Sequence, residues 1–145
     1  MAELIDIYNS ALKTLSALAR VLNSVDRVNA MQDPELEEFI CDAVIKRFEF
    51  SYEAFWKFLK KILEITYELD SVNSPRSVFK AYVKLELCSE EEGQLLINMA
   101  DSRNVTTHEY DEESVAEICV NVAQYYDCMI KIVERVKQDL EERKQ

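Results

Sequence analysis

With one glycine and two prolines in 145 residues, this chain has few of the residues from which tight turns are made. An all-β fold would need them every few positions. Apolar residues instead recur at steps of three and four, which lines them up along one side of a helix. The length suits one domain over residues 1–145, large enough to bury a core. These features predict an all-α, five-helix up-and-down bundle with three long helices and two short ones.

The first helix is expected over about residues 3 to 29, with Leu4, Ile5, Tyr8, Ala11, Leu15, Leu18, Leu22 and Val25 on its apolar face. Asp33-Pro34-Glu35 then reads as a helix start: a capping acid, proline at the first helical position and acid in the first turn. No breaker follows until about Leu69, so the second helix should be roughly 54 Å long at about 1.5 Å per residue. Its apolar stripe runs from Phe39 and Ile40 through Val44, Phe48, Tyr52, Phe55 and Trp56 to Ile62 and Leu63. Phe50 falls off the stripe, so either the helix buries a second face or one aromatic is exposed; a helix that is apolar on a second side usually has a second neighbour. Ser74-Pro75 starts a short third helix. Ser89 and Glu92 fit a capping box for the fourth. The fifth begins at Asp111 or Ser114 and carries a heptad seam from Val115 to Leu140.

Composition narrows the function. The formal charge is −11, which gives no general attraction to nucleic acid. An RNA role would need a local basic patch, drawn from Arg47, Lys57, Lys60, Lys61, Arg76 and Lys80, or contacts made by a partner. An acidic surface also suits a basic partner protein. Cys41, Cys88, Cys119 and Cys128 form no CxxC pair and have no histidine at ligand spacing, so neither a zinc site nor a disulfide framework is expected. There is no apolar run of about 18 residues or more, so no membrane span is expected. The first residues, Met-Ala-Glu-Leu-Ile-Asp, lack the pattern of a signal peptide, which points to the cytoplasm.

Chemistry-bearing residue types gather between Asp101 and Asp111. This stretch holds the only histidine, His108, five residues after Arg103 and two before Tyr110. In a continuous helix, Arg103 and His108 would lie roughly 140° apart. Asn104 is a fair helix terminator, Val105 to Thr107 are poor helix formers, and Asp111 can restart a helix. Arg103 is therefore expected to end helix four, with His108 on the turn into helix five. A tight turn could then bring together a permanent cation and an acid/base titrating near neutrality, a pairing suited to phosphodiester chemistry. A lone histidine on a turn is also commonly a surface or capping residue, and Tyr110 alone is more often a core or interface aromatic. One histidine without clustered carboxylates gives no metal site, and no cofactor is expected.

Three blocks occur in order: Phe48-Glu49-Phe50-Ser51-Tyr52-Glu53 with Ala54 to Lys60, then Ser74-Pro75-Arg76, then Arg103-Asn104-Val105-Thr106-Thr107-His108-Glu109-Tyr110-Asp111. On these the chain resembles the nucleotidyltransferase substrate-binding protein family, within the HEPN superfamily and close to the HepT-type toxins. Arg103, four residues and His108 match that family's Arg-x4-6-His ribonuclease motif. Tyr110 completes the Arg-x4-His-x-Tyr form, and Asn104 matches the polar residue that commonly follows the arginine. The resemblance implies a homodimer whose two motifs meet at the interface and which cleaves RNA without metal by attack of the 2′-OH. It implies His108 as general acid/base, Arg103 as the group that stabilises transition-state charge, and Tyr110 as the hydroxyl that a partner minimal nucleotidyltransferase modifies with AMP. Two further readings stand beside it: a non-catalytic substrate-binding subunit of a two-chain nucleotidyltransferase, and a helical adaptor whose motif is idle.

Overall fold

The structure, a computed structural model, describes residues 2–106 and 115–143, with side chains for 3–102 and 116–143. The described residues form five helices: α1 (Ala2–Ala30), α2 (Pro34–Tyr67), α3 (Pro75–Lys84), α4 (Glu90–Thr106) and α5 (Val115–Arg143). The all-α, five-helix bundle expected from the sequence is the fold observed.

Local chemistry sets the helix ends. The Asp33 carboxylate accepts hydrogen bonds from the backbone N–H groups of Glu35 (3.0 Å) and Leu36 (3.4 Å), using donors that have no partner inside the first turn. Ser74 and Ser77 form a reciprocal cap at the start of α3. Ser89 and Glu92 form the expected capping box: Ser89 N–H reaches Glu92 Oε1 at 3.0 Å and Glu92 N–H reaches Ser89 Oγ at 3.1 Å. α2 closes at Tyr67, two residues before the expected end, because Glu68 turns into the left-handed region (φ 53°) and its N–H points back to the Leu63 carbonyl. Gln32 and Glu86, which follow α1 and α3, also have positive φ, at 52° and 58°.

Three long helices enclose the core. Tyr8 meets the Phe58 ring at 6.0 Å and Glu3 pairs with Lys61, so α1 and α2 run antiparallel. Tyr125 meets Phe48 at 5.6 Å and Arg143 lies over Tyr67, so α5 runs parallel to α2. Phe79 of α3 packs on Tyr52 and Phe55 of α2, both at 6.1 Å between ring centroids. The connection after α2 carries the chain back along the bundle, so α3 runs in the same direction as α2 and α4 returns beside it. A Cβ at Gly93 would lie 2.9 Å from Val83 Cγ2, so the chain's one glycine lets α4 sit close against α3.

Two residues of α2 depart from its expected apolar stripe. Phe39 is 57% exposed, whereas Phe58, outside the expected stripe, is fully buried. Geometry accounts for both. The buried face passes through Val44, Phe48, Phe55 and Ile62, and at about 100° per residue Phe39 lies roughly 140° from Val44 while Phe58 lies within about 40° of it. Phe50, which falls off the stripe, is exposed, with the Lys46 ammonium 5.1 Å from its ring centroid. Phe39 and Phe50 share the outer side of α2. Ile5, expected on the apolar face of α1, is exposed as well. Cys41, Cys119 and Cys128 are buried, where a free thiol packs as a small apolar residue.

Candidate functional site around the end of the fourth helix

α4 does not stop at Arg103. It continues through Asn104 and Val105 to Thr106, which corrects the expected helix end. Asn and Val each cost only about half a kcal/mol or so relative to alanine in a helix, and tertiary contacts readily outweigh that. Here Leu96, Met99 and Ala100 anchor the preceding turns in the core. The side chains of Arg103 and Asn104, and residues 107–114 with His108 and Tyr110, lie outside the described residues.

What the structure defines is the frame around the motif. On α4, Asp101 faces α3 and pairs with the Arg76 guanidinium. The next residue, Ser102, shares a hydrogen bond of 2.7 Å with the Tyr125 hydroxyl of α5. Tyr125 in turn lies against Phe48, which is fully buried. From Tyr125 a run of ring contacts continues through Phe48, Tyr52 and Phe79 to Phe55. The end of α4 is therefore held on two sides, by an ion pair to α3 and a hydroxyl pair to α5. Ser102 and Tyr125 stand on either side of the 103–110 motif in sequence, so together they fix where the motif leaves one helix and where the chain resumes in the next.

Three of the cations proposed from sequence, Lys57, Lys60 and Lys61, do not collect here. Lys57 pairs with Glu53 (3.7 Å), Lys60 with Glu64 (4.0 Å), and Lys61 with Glu3 (3.0 Å) and Glu64 (3.8 Å). Ser102, Tyr125 and Phe48 share one level of the bundle, and these lysines lie about 14 to 20 Å further along α2 at about 1.5 Å per residue. They form a solvated, acid-paired helix face. Arg76 is tied to the end of α4 through Asp101. Its ion pair is about half exposed on both sides, a setting in which such pairs contribute about 0–1 kcal/mol.

The opposite end of α4 is built differently. Arg135 of α5 grips Glu92 through Nη1 to Oε1 (3.1 Å) and Nη2 to Oε2 (2.5 Å), and its Nη1 also donates to the Leu87 carbonyl at 3.3 Å. The Arg135 hydrogen bonds hold the Glu92 carboxyl below its usual range, and burial opposes them only in part. Burial pushes the Cys128 thiol up to about 12 and raises that of Cys88, so neither is a thiolate near neutral pH. An open groove of about 540 Å³ lies beside this clamp, lined by Ser89, Gln124, Asp127, Lys131 and Arg135 among others. Sequence reasoning finds Glu92 through its capping spacing but misses its pairing with Arg135, the Arg76–Asp101 pair and the Ser102–Tyr125 pair, which have no local sequence signal.

Among the described residues no three or more His, Cys, Asp or Glu side chains are grouped to hold a metal ion, and no helix is long and apolar enough to cross a membrane.

A crystal structure of a protein from Thermus thermophilus is similar to this chain, at 30% identity over 81% of this chain and 97% of that one, with a TM-score of 0.63. A crystal structure of a toxin–antitoxin with AMP-PNP shares the fold, at 18% identity over 95% of this chain and 99% of that one, with a TM-score of 0.72. No curated protein matches. The family model "Nucleotidyltransferase substrate binding protein like" matches residues 7–138, nearly the whole described bundle, and the chain belongs to that family.

Proposed function

We propose that this protein is the HepT-like component of a minimal nucleotidyltransferase/HEPN toxin–antitoxin module, a metal-independent endoribonuclease silenced by AMP on Tyr110. The observation that carries this reading is an intact Arg103-x4-His108-x-Tyr110 set inside the span of the family match. The fold shared with a toxin–antitoxin structure supports it.

In this reading His108 removes the proton of the RNA 2′-OH and protonates the departing 5′-oxygen. Arg103 stabilises charge on the phosphorane-like transition state. Two copies bring their motifs together in a homodimer, and the exposed Phe39 and Phe50 on the outer side of α2 support a neighbour for this chain. A nucleotidyltransferase partner transfers AMP from ATP to the Tyr110 hydroxyl, which loses its proton as pyrophosphate leaves. The added phosphate competes with RNA for Arg103, and the adenosine blocks access.

His108→Ala should lower RNA cleavage by about a hundredfold or more, with helix content and oligomeric state unchanged. Arg103→Ala should do the same. Protein whose intact mass shows an unmodified Tyr110, and which cuts no RNA, sinks the proposal.

A second reading, a non-catalytic subunit that binds the substrate of a separate nucleotidyltransferase, is favoured by the open polar groove between α4 and α5. Titration of nucleotides and acceptor compounds into the lone protein and into its complex with the partner tests it. Binding by neither argues against it.

A further inference from the structure

We propose that Arg76 is a second phosphate-binding residue of the RNA site, held by Asp101 in the free protein and handed to a backbone phosphate when RNA binds. This deepens the ribonuclease reading and rests on it. The chain carries a net charge of −11, so RNA binding needs cations placed at the site itself. Lys57, Lys60 and Lys61 are spent on Glu53, Glu64 and Glu3, well down α2. The Arg76 guanidinium is instead fixed against α4 at Asp101, two residues before Arg103.

The setting of this pair suits exchange. Arg76 and Asp101 keep 47% and 54% of their side-chain surface open to solvent, so a phosphate can approach without opening the core. An exposed pair adds little to stability, so giving it up costs the fold little. A guanidinium that serves a carboxylate has the planar fork of donors that suits a phosphodiester equally well. Position 103 follows position 101 by about 3 Å along the α4 axis, so Arg76 takes a phosphate next to the one at Arg103. Asp101 thus acts as a competitor for the cation, and its removal should favour RNA.

The test is a double-mutant cycle on single-stranded RNA binding, measured over a range of salt in a His108→Ala background so that the RNA survives. Arg76→Ala is expected to weaken binding about five- to tenfold and to make the salt dependence shallower by about 0.7 in slope. Asp101→Asn is expected to tighten binding about threefold, and that gain should vanish when Arg76 is already alanine. Lys57→Ala, which removes the same charge elsewhere, should change binding less than about twofold. In cleavage assays of the otherwise wild-type protein, Arg76→Ala should raise KM and leave kcat nearly unchanged. Arg76→Gln serves as the second variant if the alanine fails to fold. Asp101→Asn that weakens binding, or a gain that persists without Arg76, overturns the inference while leaving the ribonuclease reading intact. Parent protein that neither binds nor cuts RNA overturns both.

Discussion

The two ends of α4 each carry an acid–arginine pair, and the two pairs serve different purposes. At the start, Glu92 is bound at both oxygens by Arg135 while also capping its own helix, with its side chain only 16% exposed. At the far end, Asp101 meets Arg76 in the open, at a place where neither residue caps a helix. The first pair cannot open without undoing a helix start and freeing the Leu87 carbonyl. The second can open at little cost. Position in the fold, rather than residue type, decides whether an arginine is part of the frame or available to a ligand.

Substitutions should separate the two ends by the size of their effects. Glu92→Gln should cost about 2 kcal/mol and lower the thermal midpoint by roughly 6 °C, measured by circular dichroism. That difference has a defined pH dependence. The folded Glu92 carboxyl titrates below its ordinary value of 4.5, so its stabilisation is in place above that value and is lost as pH falls through the folded one. The gap between wild type and Glu92→Gln should therefore hold at neutral pH and close in acid. A gap unchanged at low pH would show that the carboxylate charge is not what holds this end.

Tyr125→Phe, which leaves the Ser102 hydroxyl without its partner, should cost about 1 kcal/mol in urea unfolding. Arg76→Ala should cost less than about 0.5 kcal/mol. An Arg76→Ala loss as large as that of Glu92→Gln would erase the contrast and make Arg76 a structural clamp.

Much of the fold is legible in the sequence, for local reasons. Asp33, Ser74, Ser89 and Glu92 cap their helices within three residues of themselves, so spacing alone reveals them. The heptad of α5 places Ile118, Val122, Tyr125, Met129 and Val136 in the core. Contacts set by the alignment of whole helices leave no such trace. Arg135 is 43 residues from Glu92, Asp101 is 25 from Arg76, and Tyr125 is 23 from Ser102. The end of α4 differs from expectation because propensities at Asn104 and Val105 are small beside packing. Phe39 reads as core because an apolar residue near a stripe is judged by type, whereas its exposure depends on angle. Arg103, His108 and Tyr110 stand out as a pattern of residue types, and solution experiments on those three residues are what test them.

The scarcity of glycine leaves a mark beyond ruling out sheets. Gln32, Glu68 and Glu86 adopt left-handed backbone after three successive helices, a conformation that costs a residue with a side chain about 1–2 kcal/mol. Much of that strain would be relieved by glycine. The protein therefore keeps an unused margin of thermal tolerance at the three corners that follow α1, α2 and α3. A more heat-resistant form could be reached there by single replacements, leaving the Arg103 to Tyr110 segment untouched.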